Sequence, residues 1–152
     1  MDKGLAMSMH DRLERFIAAQ DDVYERACEE LRNGRKRSHW MWFILPQLRG
    51  LGHSEAAYFY GLADAEEARA YLAHPILGER LRHCVRLLAC HRGREIRAIL
   101  GAPDDLKSRS CFTLFEAVAG DDADRALFTR ALADFHGGRR DAHTLELLAG
   151  RE

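Results

Sequence analysis

Trp40-Met41-Trp42-Phe43-Ile44-Leu45 is a run of six large apolar residues, closed by Pro46. No side of such a segment is polar, so most of it has to be surrounded by protein whatever conformation it takes. Periodicity does not separate a buried strand from a buried helical turn over so short a run. Ser38 is placed to cap a helix, and Pro46 disfavours helical geometry at Leu45. Together they predict a short helix that ends before the proline. The segment is expected at the centre of the core, with the other elements packed around it.

The rest of the chain is patterned as amphipathic helix almost throughout. Leu13, Phe16, Ile17, Gln20, Val23, Tyr24, Ala27, Cys28 and Leu31 recur every three or four residues, the period of one helical face. The capping-box spacing of Asp22 and Glu25 predicts a break near Gln20, and Gly34 a stop. Ser54 is expected to cap a short helix to Tyr60, and Asp64 a longer one with Glu66 and Glu67 in its first turn. Pro75 is expected at the first position of the next helix, whose inward face is Leu77, Leu81, Val85 and Leu88. Gly93 and Gly101 bracket a short helix, residues 103–118 form another, and Asp121 and Asp141 cap the last two. No alternating β-branched run or internal repeat interrupts this pattern. The predicted fold class is all-α, a compact single-domain bundle of about seven to nine helices, several short. It covers residues 11–149, behind a flexible leader at 1–10.

Charge narrows the partners. Twenty-three Lys plus Arg face 24 Asp plus Glu, a formal net charge of −1 over 152 residues. A chain without a global positive field does not gather polyanions, so nucleic acid is not an expected partner. The local run Arg35-Lys36-Arg37 reads as a solvated helix end. No apolar stretch reaches the ~20 residues that span a bilayer, and no membrane partner is expected. Residues 1–10 carry no secretory signal, which predicts a cytoplasmic, reducing setting. Cys28, Cys84, Cys90 and Cys111 are then free thiols, each expected on a helix among apolar neighbours.

The segment Arg35-Lys36-Arg37-Ser38-His39-Trp40-Met41-Trp42-Phe43-Ile44-Leu45-Pro46-Gln47 resembles the domain-of-unknown-function 1810 family, small bacterial proteins of helical fold. Similar stretches follow at Gly50-Leu51-Gly52, Glu67-Ala68-Arg69-Ala70-Tyr71-Leu72 and His74-Pro75-Ile76-Leu77-Gly78-Glu79-Arg80-Leu81. The likeness continues from Gly101 through Phe115 and at Gly137-Gly138-Arg139-Arg140-Asp141 with Thr144-Leu145. The resemblance implies the all-α fold and no assigned activity. The chain departs from the family pattern at Cys111-Phe112, where serine and methionine are usual, and at His136, where an apolar residue is common.

Spacing argues against a metal. His83 with Cys90, and Cys84 with His91, share helix faces but lie seven residues apart, about 10 Å along the axis. Ligands ~2.0–2.3 Å from one zinc cannot be so distant. No metal is expected, and no cofactor. Residues 101–108 imitate the end of a phosphate loop, but Leu106 stands where the second glycine belongs, so the backbone cannot wrap a phosphate.

What remains is a looser grouping. Lys36, His39, Trp40, Trp42 and Gln47 flank the apolar run, while Asp104, Lys107, Ser110 and Thr113 share a second segment. The functional expectation is a pocket between residues 36–47 and 104–113. Trp40 or Trp42 would offer a ring surface, Lys36 and Lys107 would meet an anion, and His39 is the candidate for moving a proton. A structural role competes for every one of them: tryptophans in an apolar run are usually core, and Asp104 suits a helix start. Two functions follow from these alternatives. One is a binding protein or enzyme for a small anionic, nucleotide-like ligand; the other is a non-catalytic interaction module or homo-oligomer. The sequence leaves open whether the chain is an enzyme.

Overall fold

The computed structural model describes residues 7–151. Among them are ten helices: α1 (Met9–Asp21), α2 (Tyr24–Arg32), α3 (Met41–Ile44), α4 (Glu55–Tyr60), α5 (Ala65–Ala73), α6 (Leu77–Ala89), α7 (Ile96–Leu100), α8 (Asp104–Val118), α9 (Asp122–His136) and α10 (Ala142–Gly150). The fold is all-α as expected. The helix count exceeds seven to nine because the first amphipathic stretch splits and every short segment forms. Strand-like pairing among these residues is confined to a single parallel bridge, Leu48 with Leu62. No helix among them is long and apolar enough to cross a membrane. Residues 1–6 of the expected leader lie outside the described residues, and α1 begins within that stretch at Met9.

Side-chain caps set most helix starts. Ser8, Ser54, Asp64, Asp121 and Asp141 each accept a hydrogen bond from the backbone N–H three residues on, at 2.8–3.1 Å. Each satisfies a donor that has no partner inside the helix. Three expectations fail locally. The first stretch breaks at Asp22 and Val23, with Asp22 ending α1 rather than capping α2. Pro75 lies before α6, and the His74 imidazole accepts from the N–H groups of Ile76 (3.1 Å) and Leu77 (3.3 Å) instead. Ser38 does not cap α3, because its hydroxyl is engaged by Glu30.

The centre of the molecule is α8. Cys111, Phe112, Thr113, Leu114 and Phe115 are consecutive and fully buried, which means every side of the helix is covered. Tyr71 of α5 and Phe128 of α9 sit against Phe115, with ring centroids 5.5 and 5.7 Å away, and Phe16 of α1 meets Tyr71 edge-on at 5.0 Å. Offset and edge-on pairs of this kind add about 0.5–1.5 kcal/mol each beyond area burial. The crossing of α5 and α6 is close: a Cβ at Gly78 would lie 2.0 Å from the Leu72 carbonyl oxygen. Only glycine fits there.

The tryptophan-bearing run is therefore not the hub expected of it. Trp40, Met41, Ile44 and Leu45 are buried, while Trp42 and Phe43 are half-buried. One turn of helix explains this, since positions i, i+1, i+4 and i+5 face one way and i+2, i+3 the other. Trp40 is located by Glu30, whose Oε1 accepts from the indole N–H (2.9 Å) and from the backbone of Arg37 (2.8 Å) and Ser38 (3.0 Å). The Ser38 hydroxyl donates to Oε2 at 2.5 Å.

Burial pushes the Glu30 carboxyl up, but the bonds from Ser38, Arg37 and Trp40 outweigh it and hold it at about 2. Its folded value lies below its ordinary one near 4.5, so the unfolded chain binds the proton first. The carboxylate's contribution is complete above pH about 4.5 and is lost as the pH falls through about 2. Glu30→Gln is predicted to lower unfolding free energy at neutral pH by about 2–3 kcal/mol in urea titrations. It should also flatten the acid side of the stability profile relative to wild type.

Candidate functional site

A groove of about 300 Å³ opens between the turn that follows α3, the first turns of α8 and the start of α10. Trp42, Gln47, Lys107, Arg109, Ser110, Asp141 and His143 supply its polar and aromatic lining, with Leu51, Pro103 and Leu106 as apolar wall. Local bonding brings these segments together. Gln47 accepts from Leu62 N–H (3.0 Å) and Arg49 donates to the Leu62 carbonyl (2.8 Å), which ties the turn after α3 to the chain entering α5. On the other side Gly137 is left-handed at φ 61° and ends α9, a conformation glycine adopts without steric cost. The chain then returns to α8, where the Asp141 N–H donates to Thr113 Oγ1 at 2.9 Å.

Charges alternate behind and along the groove. Asp104 is shared by two lysines, Lys36 Nζ at 2.9 Å and Lys107 Nζ at 3.2 Å. Lys36 is the more deeply placed, with 8% of its side chain exposed. Each ammonium also lies over an indole, Lys36 at 5.1 Å from the Trp40 centroid and Lys107 at 3.8 Å from that of Trp42. Both positions are within the range where the ring quadrupole attracts a cation. Arg109 Nη2 stands 3.7 Å from Asp141 Oδ1. Its Nε is buried and has no partner.

The structure thus brings Trp42, Gln47, Lys107 and Ser110 together in one groove. Lys36 and Asp104 sit behind it, joined to it through Lys107. The other candidates go elsewhere. Trp40 is wholly buried and offers no ring surface. Thr113 is enclosed, its hydroxyl oxygen taken by Asp141. His39 is exposed and is not part of the lining. Sequence reasoning missed Arg109, Asp141 and His143. Arg109 lies between two residues already singled out, and helical adjacency could have found it. Asp141 and His143 arrive only through the return of the chain after Gly137.

A serine–histidine contact lies beside this region. Ser108 Oγ is 2.9 Å from His136 Nε2 and donates to the Asp105 carbonyl at 2.6 Å. Since the hydroxyl hydrogen goes to that carbonyl, His136 is the donor in the pair. Burial first, then the nearby Arg109 charge, lowers His136 to about 4, so the imidazole is neutral at pH 7. Ser108 has no exposed surface. Enclosed and facing a carbonyl, it is not arranged as a nucleophile.

Among the described residues no three or more His, Cys, Asp or Glu side chains converge as metal ligands. Cys84 faces the core, and His91 Nε2 meets the Leu31 carbonyl at 2.8 Å. Cys90 is exposed at the end of α6, unlike the apolar setting expected for it.

Residues 10–148 match the model of a family described as a protein of unknown function, DUF1810. The chain belongs to that family. It is similar to a crystal structure of the conserved hypothetical protein Rv1873 from Mycobacterium tuberculosis, at 51% identity and a TM-score of 0.85. That similarity covers 90% of this chain and 96% of the other. No curated protein matches it.

The shared carboxylate makes a prediction. Asp104→Asn is expected to destabilise the protein by about 3 kcal/mol in chemical denaturation, because it strands the enclosed Lys36 ammonium. Lys107→Met leaves the Lys36 pair intact and should cost less than about 1 kcal/mol. Equal losses for the two variants would refute this division.

Proposed function

We propose that this chain binds a small anionic ligand carrying a flat ring, nucleotide-like in character and no larger than a mononucleotide, in the groove beside Trp42. Arg109 carries the reading: it lines the groove, and its buried Nε lacks a partner. A buried donor left unpaired costs on the order of 1–3 kcal/mol, and a ligand oxygen would supply what the protein does not. The local charge agrees. Lys36, Lys107 and Arg109 face only Asp104 and Asp141, so the neighbourhood favours a negative guest.

Trp42 supplies aromatic surface, and Gln47 and Ser110 supply neutral groups that would orient the ligand. A volume of about 300 Å³ is at the low end for small-molecule sites, and that sets the size limit. A ring can stack on Trp42 from the Lys107 side only after the ammonium has moved off to meet the anion. The proposal is one of binding and assigns no reaction.

A second reading, an interaction module that self-associates, is favoured by Tyr58 and Phe59 on α4, which are 67% and 53% exposed. Adjacent exposed aromatics are common where proteins meet. Sedimentation that finds a monomer at every concentration would remove this reading.

The binding proposal is tested by thermal unfolding of wild type and Arg109→Gln with nucleoside monophosphates and small carboxylates. The wild type is expected to gain stability that grows with concentration, about 2.7 kcal/mol at a hundredfold excess over Kd. The variant should gain little. Absence of any shift in wild type at millimolar ligand overturns the proposal.

A further inference from the structure

Cys28 on α2 and Cys84 on α6 stand apart from the groove and belong to no function derived above. The two helices run side by side in the same direction, and their contacts keep a common register. The Arg80 guanidinium lies 4.8 Å over the Tyr24 ring, and one helical turn further along each helix the Cys28 and Cys84 thiols are hydrogen-bonded to each other. Towards the ends of the helices His91 Nε2 meets the Leu31 carbonyl at 2.8 Å. Arg80 also reaches Gln20 Oε1 and Asp21 Oδ1, both at 3.2 Å. The thiol pair is thus clamped on either side.

The two sulfurs are not equivalent. Cys84 is fully buried, whereas Cys28 keeps 6% of its surface exposed. The Cys84 S–H donates to the Cys28 sulfur, and this outweighs burial; with the Tyr24 hydroxyl and the charges of His83 and Arg32 it brings Cys28 down to about 6. The same pairing, with burial, pushes Cys84 up. A thiolate with slight access beside a thiol without it is the arrangement of an attacking and a resolving cysteine. The remaining cysteines lack that setting. Cys90 is exposed and bonds the Arg86 carbonyl, and Cys111 is buried, with its thiol pushed up by that burial.

We propose that Cys28 and Cys84 form a redox modification site, oxidised by hydroperoxides to an intramolecular disulfide that links α2 to α6. The Cys28 thiolate attacks one peroxide oxygen; the S–O bond forms, the O–O bond breaks, and the released hydroxide takes the proton that Cys28 gave up, leaving as water. The Cys84 sulfur then attacks the sulfenic sulfur; the S–S bond forms and the S–O bond breaks. The departing hydroxide carries off the Cys84 proton as a second water. Two thiols are oxidised and one peroxide is reduced to two waters. The site is independent of the proposed ligand groove.

The test uses the full chain, reduced, treated with a slight excess of hydrogen peroxide, then denatured, alkylated and weighed. Alkylatable cysteines are expected to fall from four to two, with no added oxygen and no dimer. Trypsin should release peptides 27–32 and 83–86 as one species that dithiothreitol separates. In Cys84→Ser, dimedone should label Cys28, and Cys90→Ser should still form the link. Four alkylatable thiols after treatment overturn the proposal. So does a bond through Cys90 between chains, or Cys28 accumulating as sulfinic acid. The wild-type masses decide the matter even if a variant folds poorly.

Discussion

One carboxylate organises the segment from which the groove is built. Glu30 reaches from the last turn of α2 and takes four donors from the stretch between Arg37 and Trp40. An anion enclosed at this depth is tolerable only because its oxygens are filled by N–H and O–H groups. In return those groups, which have no secondary structure to satisfy them, are paired. The chain between α2 and α3 is irregular and yet held. Trp40 follows from it, α3 follows from Trp40, and the outward face of α3 gives the groove its indole.

From there the architecture turns on the difference between Trp40 and Trp42. The two are alike in chemistry and two positions apart, and a single helical turn sends one inward and the other to the surface. Lys36 and Lys107 mirror that division. One ammonium is sunk over the inner ring, the other stands over the outer ring, and Asp104 touches both. Ion pairs of this depth add little net stability, because desolvation consumes most of the Coulombic attraction. Their effect is geometric, since they join the 36–42 segment to the first turn of α8.

Much of the fold was legible in the sequence because helix signals are local. Ser54, Asp64, Asp121 and Asp141 cap where their side-chain chemistry says they should, and the three-to-four-residue spacing identified the inward faces of α1, α2 and α6. The misreadings came from side chains recruited at a distance. Ser38 looked like a cap until a carboxylate eight residues away claimed its hydroxyl. The apolar run looked like the hub, but a four-residue helix buries half its circumference, whereas α8 is long enough to be covered on all sides. Trp42, Gln47, Lys107 and Ser110 could be grouped from two segments of sequence. Asp141 and His143 could not, because nothing local announces that the chain after Gly137 comes back to α8.

Sharing Asp104 between two lysines has a mechanical outcome. A carboxylate with one counter-ion is stranded when that counter-ion swings away, and the penalty keeps the pair closed. Here Lys36 stays in place as ballast, so Lys107 is free to leave without stripping its acid of company. The entrance to the groove therefore carries a loosely tethered positive arm, hung from a rigid and already balanced base.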